Sequence, residues 1–330
     1  VQVLKEGRDG LLEIRDLRVS YKVYKGTLKV LNGVELRVGK GERIGLVGES
    51  GSGKTTTLKS ILRILPYNAR VEGGKILYKG RDLLEADKDL LNNVRRREIA
   101  MIFQDPMAAL NPVFKVRDQL FDIIKQSARR KLSKEEIEEI AYRLLKEVRL
   151  PDVERVMDSY PFQLSGGMRQ RVVIAMALAS ARELLLADEP TTNLDVTIQD
   201  QILRLLADLT MKRNLSVILV SHALGMVRKM TDRTYVMYAG DVVEEGESSD
   251  IFENPLHPYT QMLVETAPKL TGNWNPKGVP GRIPDYLNPP SGCRFHPRCP
   301  FAESICREKR PPMIMVGRGK RVRCWLYYKR

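Results

Sequence analysis

Apolar and polar positions follow two rhythms along this chain. Residues 12–19 (Leu-Glu-Ile-Arg-Asp-Leu-Arg-Val) and 34–38 (Val-Glu-Leu-Arg-Val) alternate as half-buried strands do. Residues 43–47, 98–103 and 216–220 are short, nearly all-apolar runs, and 184–189 is another that ends in two acids. Such runs predict strands buried inside an open α/β sheet. Between them, residues 56–62, 116–126, 134–148 and 197–211 carry helical spacing, and Ser133 with Glu136 forms a capping-box pattern at the start of the third. Residues 71–80 read as a hairpin strand and turn. The two strands ahead of residue 43 predict an antiparallel flap. The helical stretch from 108 to about 162 reads as an inserted subdomain or a plain αα-hairpin.

The chemistry gathers where strands end. Residues 48–55, Gly-Glu-Ser-Gly-Ser-Gly-Lys-Thr, match the phosphate-binding loop G-x-x-x-x-G-K-[ST], with an apolar strand entering and a helix leaving. Gly48, Gly51 and Gly53 permit the torsions and close approach by which the N–H groups of Glu49, Ser50, Ser52 and their neighbours turn onto phosphate oxygens at a helix start. Lys54 then reaches the β- and γ-phosphates, Thr55 is placed to ligate Mg²⁺, and Thr56 opens the helix. A plain glycine-rich turn is the alternative. Gln104 ends the 98–103 strand, where such sheets bind ligands, and its amide suits Mg²⁺ or an attacking water. Asp188 can hold Mg²⁺, with Glu189 one residue further out to polarise the water. His222 ends the next strand, at a position to contact a γ-phosphate, although a lone histidine is more often structural.

A second anion-binding helix start lies at 164–168, Leu164, Ser165, Gly166, Gly167 and Met168, with Ser165 as N-cap. One ATP does not obviously fill both cradles of one chain. The economical solution is a head-to-tail dimer in which the second cradle closes on the neighbour's ATP, with Asn193, Leu194 and Asp195 close enough to reach that neighbour.

Composition adds little until the C-terminal end. The chain has 330 residues, 43% apolar and 29% charged, enough for two domains or for one large domain with an appendage. No apolar run reaches the roughly 18 residues a membrane helix needs, and charges interrupt residues 1–9 before any signal-peptide core forms, so a cytoplasmic protein is expected. The net charge of +14 is concentrated in residues 273–330, which hold 13 Lys/Arg against 3 Asp/Glu. Nucleic acid, anionic lipid, an acidic protein or simply solvent can face such a surface. The four cysteines, Cys293, Cys299, Cys306 and Cys324, lie in the same segment and argue for a metal or iron–sulfur site ahead of disulfides. Their C-x5-C-x6-C-x17-C spacing lacks the paired knuckles of zinc ribbons, and His296 can enter a mixed site.

In order along about 200 residues, the loop, Gln104, the 164–168 segment, the acid-tipped strand, residues 193–195 and His222 resemble the ATP-binding subunit of an ABC transporter. That resemblance implies a RecA-like α/β core with an antiparallel β-subdomain and a helical insertion at about 105–163. It also implies a dimer with two ATPs sandwiched between phosphate loop and opposing signature, and Mg²⁺ held by Thr55, Gln104 and Asp188. By the same resemblance Tyr21, rather than Tyr24, stacks on adenine, Glu189 and His222 are catalytic, and 193–195 is the D-loop. The motifs His-Pro-Tyr-Thr at 257–260, Gly-Arg-Ile-Pro at 281–284 and residues 289–300, with Met168 in a usual glutamine position, resemble the C-terminal extension of oligopeptide/dipeptide importers. The expected division is therefore an ATPase domain over 1–255 and an extension over 256–330.

Those importers work at the cytoplasmic face of the membrane as peripheral subunits, pairing two different ATPase chains with two permease subunits and an external binding protein. Some carry oligosaccharides. Members with this cysteine set hold a [4Fe–4S] cluster, which is favoured here over Zn²⁺ or free thiols in a structural role. Ala223 stands where the family has Asp, and Asn193 where it has Ala. Neither change touches Glu189 or His222, so a hydrolytic site is expected. The competing readings are a soluble ABC ATPase acting on nucleic acid and a non-hydrolysing regulator. The first lacks an aromatic-rich basic groove or a long coiled-coil insertion, and no nucleic-acid partner is expected.

Overall fold

The alternation at the start of the chain becomes a hairpin of two long strands, β1 (Gly10–Val23) and β2 (Gly26–Gly39). The computed structural model describes residues 10–192, 194–266, 278–317 and 319–328. They divide into two units, Val1–Glu85 with Val220–Arg330, and Ala86–Leu219.

In the first unit, β3 (Arg43–Val47) feeds the phosphate loop and α1 (Lys54–Ile61) leaves it, followed by β4 (Ala69–Tyr78) and β5 (Arg81–Asp82). The antiparallel flap is real, with order β2-β1-β4-β5. Leu12, Ile14, Leu17 and Val19 are all buried, although a strict two-residue period would turn Leu17 outward. A bulge resolves this: the register shifts between Ile14 and Leu17, where Asp16 takes a left-handed φ of 44°.

The second unit runs α2 (Lys88–Arg97), β6 (Ile99–Ile102), α3 (Pro106–Ala109), α4 (Val116–Ser127), α5 (Lys134–Glu147), α6 (Val153–Asp158), α7 (Gly166–Ser180), β7 (Leu184–Asp188), α8 (Val196–Lys212) and β8 (Ser216–Val220). β6 and β7 pair in parallel, from Ile99 opposite Leu184 to Ile102 opposite Ala187. Helices α4, α5 and α7 pack on one another, and α6 on α4 and α5. Their apolar faces, among them Leu120, Ile124, Ile137, Leu145, Val172 and Ile174, are buried together. The capping box closes as its residues require. Ser133 Oγ accepts from the Glu136 N–H at 3.2 Å, and Glu136 Oε2 accepts from the Ser133 N–H at 2.8 Å. The insertion expected at 105–163 lies within this unit.

The chain then returns to the first unit through α9 (Leu224–Met230), β9 (Arg233–Tyr238), β10 (Asp241–Glu247), α10 (Ser248–Glu253), α11 (Pro258–Glu265), α12 (Ser304–Glu308), β11 (Ile314–Val316) and β12 (Lys320–Val322). β9 lies parallel to β3, and β10 antiparallel to β9. The last strands extend the sheet, β12 pairing with β10 and β11 with β12. Among the described residues no helix is long and apolar enough to cross a membrane.

Candidate nucleotide-binding site

In the first unit the phosphate loop needs glycine at two positions for steric reasons. Gly48 has φ +150°, and a Cβ there would lie 2.1 Å from the Met237 carbonyl oxygen; Gly53 has φ +105°, and its Cβ would lie 2.7 Å from Leu31. Ser52, Gly53 and Lys54 are buried, Thr55 and Thr56 half-buried, and Gly51 exposed at the mouth. Lys54 Nζ donates to the carbonyls of Gly48 and Glu49 at 2.8 and 2.9 Å, folding the ammonium over the loop where phosphate would compete for it. Tyr21 is half-buried with its hydroxyl 3.1 Å from Thr56 Oγ1, whereas Tyr24 is fully exposed. His222 is exposed just past β8.

The second unit brings together the acid pair and Gln104. Asp188 is buried at the end of β7. Glu189 follows with φ 48°, a left-handed conformation that side chains rarely adopt and that turns its carboxylate away from the strand direction. Glu189 Oε2 accepts from the Gln104 amide at 3.1 Å and from Thr192 Oγ1 at 3.0 Å. Two donors thus fix the oxygen that a general base would use.

At the signature segment Leu164 is buried, Ser165 exposed, and Gly166, Gly167 and Met168 half-buried. Ser165 Oγ accepts from the Met168 N–H at 3.3 Å, so α7 begins with the expected cap. A Cβ on Gly166 would come within 3.2 Å of Leu194, and one on Gly167 within 3.1 Å of Ile198, so this helix start is closely packed by the segment after residue 193. Asn193 lies outside the described residues. Asp195, expected in the D-loop, also caps α8, its Oδ1 accepting from the Ile198 N–H at 3.0 Å. Ala223 takes the N-cap position of α9 and makes no side-chain cap.

The sequence reading missed what the extension does to the phosphate loop. Tyr259 Oη accepts from the Glu49 N–H at 2.8 Å, and Tyr286 Oη donates to the Gly51 carbonyl at 2.6 Å. Arg298 pairs with both Glu49 carboxylate oxygens at 2.8 and 3.0 Å. Burial alone would lower Arg298, but hydrogen bonds with Glu49 and Tyr238 hold its guanidinium above the usual range. The motifs at 257–260, 281–284 and 289–300 contain or adjoin these residues. They were visible as motifs, but their target lies more than 200 residues away in the chain.

The four cysteines are all free thiols and line one small cavity with His257, Phe295, His296 and Trp325. Burial pushes Cys293 up to about 12 and Cys324 up to about 11, and Cys299 also rises, so these groups are neutral as they stand. His257 is likewise buried and pushed down to about 3. His296, the candidate for a mixed site, sets Nδ1 3.0 Å from the Cys293 carbonyl oxygen. Among the described residues no three His, Cys, Asp or Glu side chains form a group able to hold a metal ion. The arrangement therefore supports neither the zinc nor the [4Fe–4S] expectation by its geometry.

Comparison with known proteins shows the family. Residues 31–192 match the ABC transporter family model, and residues 243–306 match the C-terminal region of oligopeptide/dipeptide transporters. The chain is 44% identical over 321 residues to the oligopeptide transport ATP-binding protein OppD of Bacillus subtilis, covering 96% of this chain and 89% of that protein. With the dipeptide transport ATP-binding protein DppD of the same organism the identity is 43%, over 97% and 96% of the two chains. Among solved structures, the ATP-binding cassette MJ0796, a dimer in a post-hydrolysis state with ADP and Pi, superposes with a TM-score of 0.64 at 29% identity over 72% of this chain and 98% of that one. The cassette cbiO1 of Clostridium perfringens gives 0.63 at 26% identity, over 75% and 92%.

Proposed function

Because the chain belongs to the ABC transporter family, as an ATP-binding and hydrolysing subunit of the oligopeptide/dipeptide importer type, we propose that it powers the uptake of short peptides. The observation that carries the cargo class is the match of residues 243–306 to the oligopeptide/dipeptide C-terminal region. Oligosaccharide cargo and nucleic-acid action have no comparable support.

The residues have a division of labour in this reading. The loop N–H groups of 50–55 and the Lys54 ammonium bind the phosphates of MgATP, the Glu49 N–H being taken by Tyr259, and Thr55, with Gln104 and Asp188 by family resemblance, is assigned to its cation. Tyr21 packs against the adenine. Glu189, with one oxygen fixed by Gln104 and Thr192, orients the attacking water and takes its proton, and His222 reads the γ-phosphate. Ser165, Gly166 and Gly167 offer the start of α7 to a nucleotide held by a neighbouring ATPase subunit, and residues 193–195 meet that neighbour. The dimeric state of MJ0796 is the precedent. A paralogous ATPase is the partner favoured for this role.

Membrane permease subunits and a substrate-binding protein are implied by the importer type, and the chain would act as a peripheral subunit at the cytoplasmic face. Exposed Phe103, Met107, Val113 and Phe114 give the stretch after β6 an apolar surface of the kind a permease helix would cover. The ATPase core is assigned to 1–255 and the extension to 256–330.

Cys293, Cys299, Cys306 and Cys324 are the residues that would hold a [4Fe–4S] cluster; what supports this is their number and their shared cavity, not a ligand geometry already in place. When bound, the cluster would supply a covalent tie across a proline-rich segment. The chain's own part is to keep the thiols together, out of disulfides, and screened from water by Phe295 and Trp325.

The test is reconstitution with permease subunits and a binding protein of the oligopeptide/dipeptide importer type. ATP turnover stimulated by binding protein loaded with a short peptide, and not with an oligosaccharide, supports the reading. Stimulation by the sugar alone overturns it. Iron and sulfide analysis of anaerobically purified chain tests the cluster.

A further inference from the structure

Residues in or beside the three motifs of the extension converge on the second and fourth residues of the phosphate loop. Tyr259 takes the Glu49 N–H, Arg298 takes the Glu49 carboxylate, and Tyr286 donates to the Gly51 carbonyl. Behind them, Tyr238 and Tyr259 pack ring to ring at 4.7 Å with Phe295 against both. The Arg298 side chain is only 5% exposed, against 27% for Glu49. Its remaining donors are used on the chain beside it, Nε on the Pro280 carbonyl at 2.6 Å and Nη2 on the Val279 carbonyl at 2.9 Å. The guanidinium is therefore fixed in place, and its bidentate face is turned on one carboxylate.

The charge arithmetic makes this contact matter. A loop whose task is to hold a triphosphate carries an acid, Glu49, directly after its first glycine. Unpaired, that carboxylate would repel the phosphates. We propose that Arg298 is a positioning residue of the nucleotide site: it neutralises Glu49 and turns the carboxylate away from the phosphates, so that the C-terminal extension sets the affinity of the phosphate loop for MgATP. A second arginine of the same segment secures the floor. Arg294 donates to the carbonyls of Lys29 and Ala239 at 3.1 and 2.5 Å, and the adjacent Gly240 N–H donates to the Ser52 carbonyl at 2.8 Å. Arg294 follows Cys293 and Arg298 precedes Cys299, so the turn that lines the thiol cavity also delivers both guanidiniums.

The proposal rests on the nucleotide-binding reading above, and the experiment separates the two. MgATP binding to the full chain is measured by calorimetry for wild type, Arg298→Ala, Arg298→Lys, Glu49→Gln and the Arg298→Ala/Glu49→Gln double variant, with the Tm of each. Removing one partner of this partly buried ion pair is expected to weaken MgATP binding about tenfold in Arg298→Ala, with Arg298→Lys in between. The double variant, which lacks the same tie but has no bare carboxylate, should return to within about threefold of wild type. Glu49→Gln alone keeps the extension's other contacts and should bind at least as tightly as wild type. A double variant as weak as Arg298→Ala, or Arg298→Ala with unchanged affinity, overturns the proposal, as does a Glu49→Gln chain that binds clearly more weakly than wild type. Failure of the wild-type chain to bind MgATP overturns instead the reading on which it rests.

Discussion

The side-chain amide of Gln104 donates to Glu189 Oε2 at 3.1 Å, joining the ends of two strands that pair in parallel. Gln104 thereby touches the base of the proposed reaction itself. Replacing Glu189 by Gln removes the base but keeps the shape, so turnover should fall by about 10²-fold or more while MgATP binding persists. Steady-state hydrolysis beside equilibrium binding checks this, and unchanged turnover would restore the idea of a non-hydrolysing regulator.

Gly48 and Gly51 share a motif but not an environment. Gly48→Ala would drive a methyl against the Met237 carbonyl, a backbone atom that has nowhere to go, whereas Gly51→Ala meets only Ile283 at 4.0 Å. Gly51→Ala should cost about 1 kcal/mol for its left-handed φ, and Gly48→Ala clearly more, with nucleotide binding lost as well. Thermal melts of the two variants decide it; equal losses would show that the clash is relieved elsewhere.

Ser165 has a local role and a proposed distant one. Losing the cap in Ser165→Ala should cost about 1 kcal/mol of stability. If the hydroxyl also meets the neighbour's phosphate, turnover should fall much further than Ser165→Gly or the melting shift can explain. Turnover that simply tracks the Tm across both variants would leave the serine with nothing beyond its cap.

The Glu136 carboxyl is held down at about 2, first by the Arg130 guanidinium and then by the Ser133 N–H. A carboxyl below its ordinary value favours the fold where it is ionised. Its contribution is complete above the ordinary carboxylate range of about 4.5 and is lost as pH falls from there through about 2. The group is exposed, so the effect on stability is small and is best read locally. Carboxyl-carbon NMR should place its midpoint well under those of other surface glutamates, and an ordinary midpoint would falsify the assignment.

Local chemistry made much of this molecule legible. The strand–loop–helix at 43–61, the capping box at Ser133 and the cap at Ser165 each depend on residues within a few positions, and the structure keeps all three. β1 and β2 run well beyond their alternating centres because pairing with each other, and of β1 with β4, extends them through residues such as Lys22 and Lys29 that have no apolar signal. The left-handed turn at Glu189 and the capping role of Asp195 were likewise hidden, since Glu189 is not a residue type that announces positive φ. The extension's grip on the phosphate loop was the least legible feature. Its motifs stood out, but a contact between Arg298 and Glu49 depends on how the intervening chain folds.

The pairing of β12 with β10 has a practical consequence for anyone trimming this protein. β10 presents one hydrogen-bonding edge to β9 and the other to a strand from the last dozen residues. A chain cut after position 255 would expose that second edge as a ready template for self-association. Such a truncation should therefore precipitate or form soluble aggregates rather than yield a clean minimal ATPase.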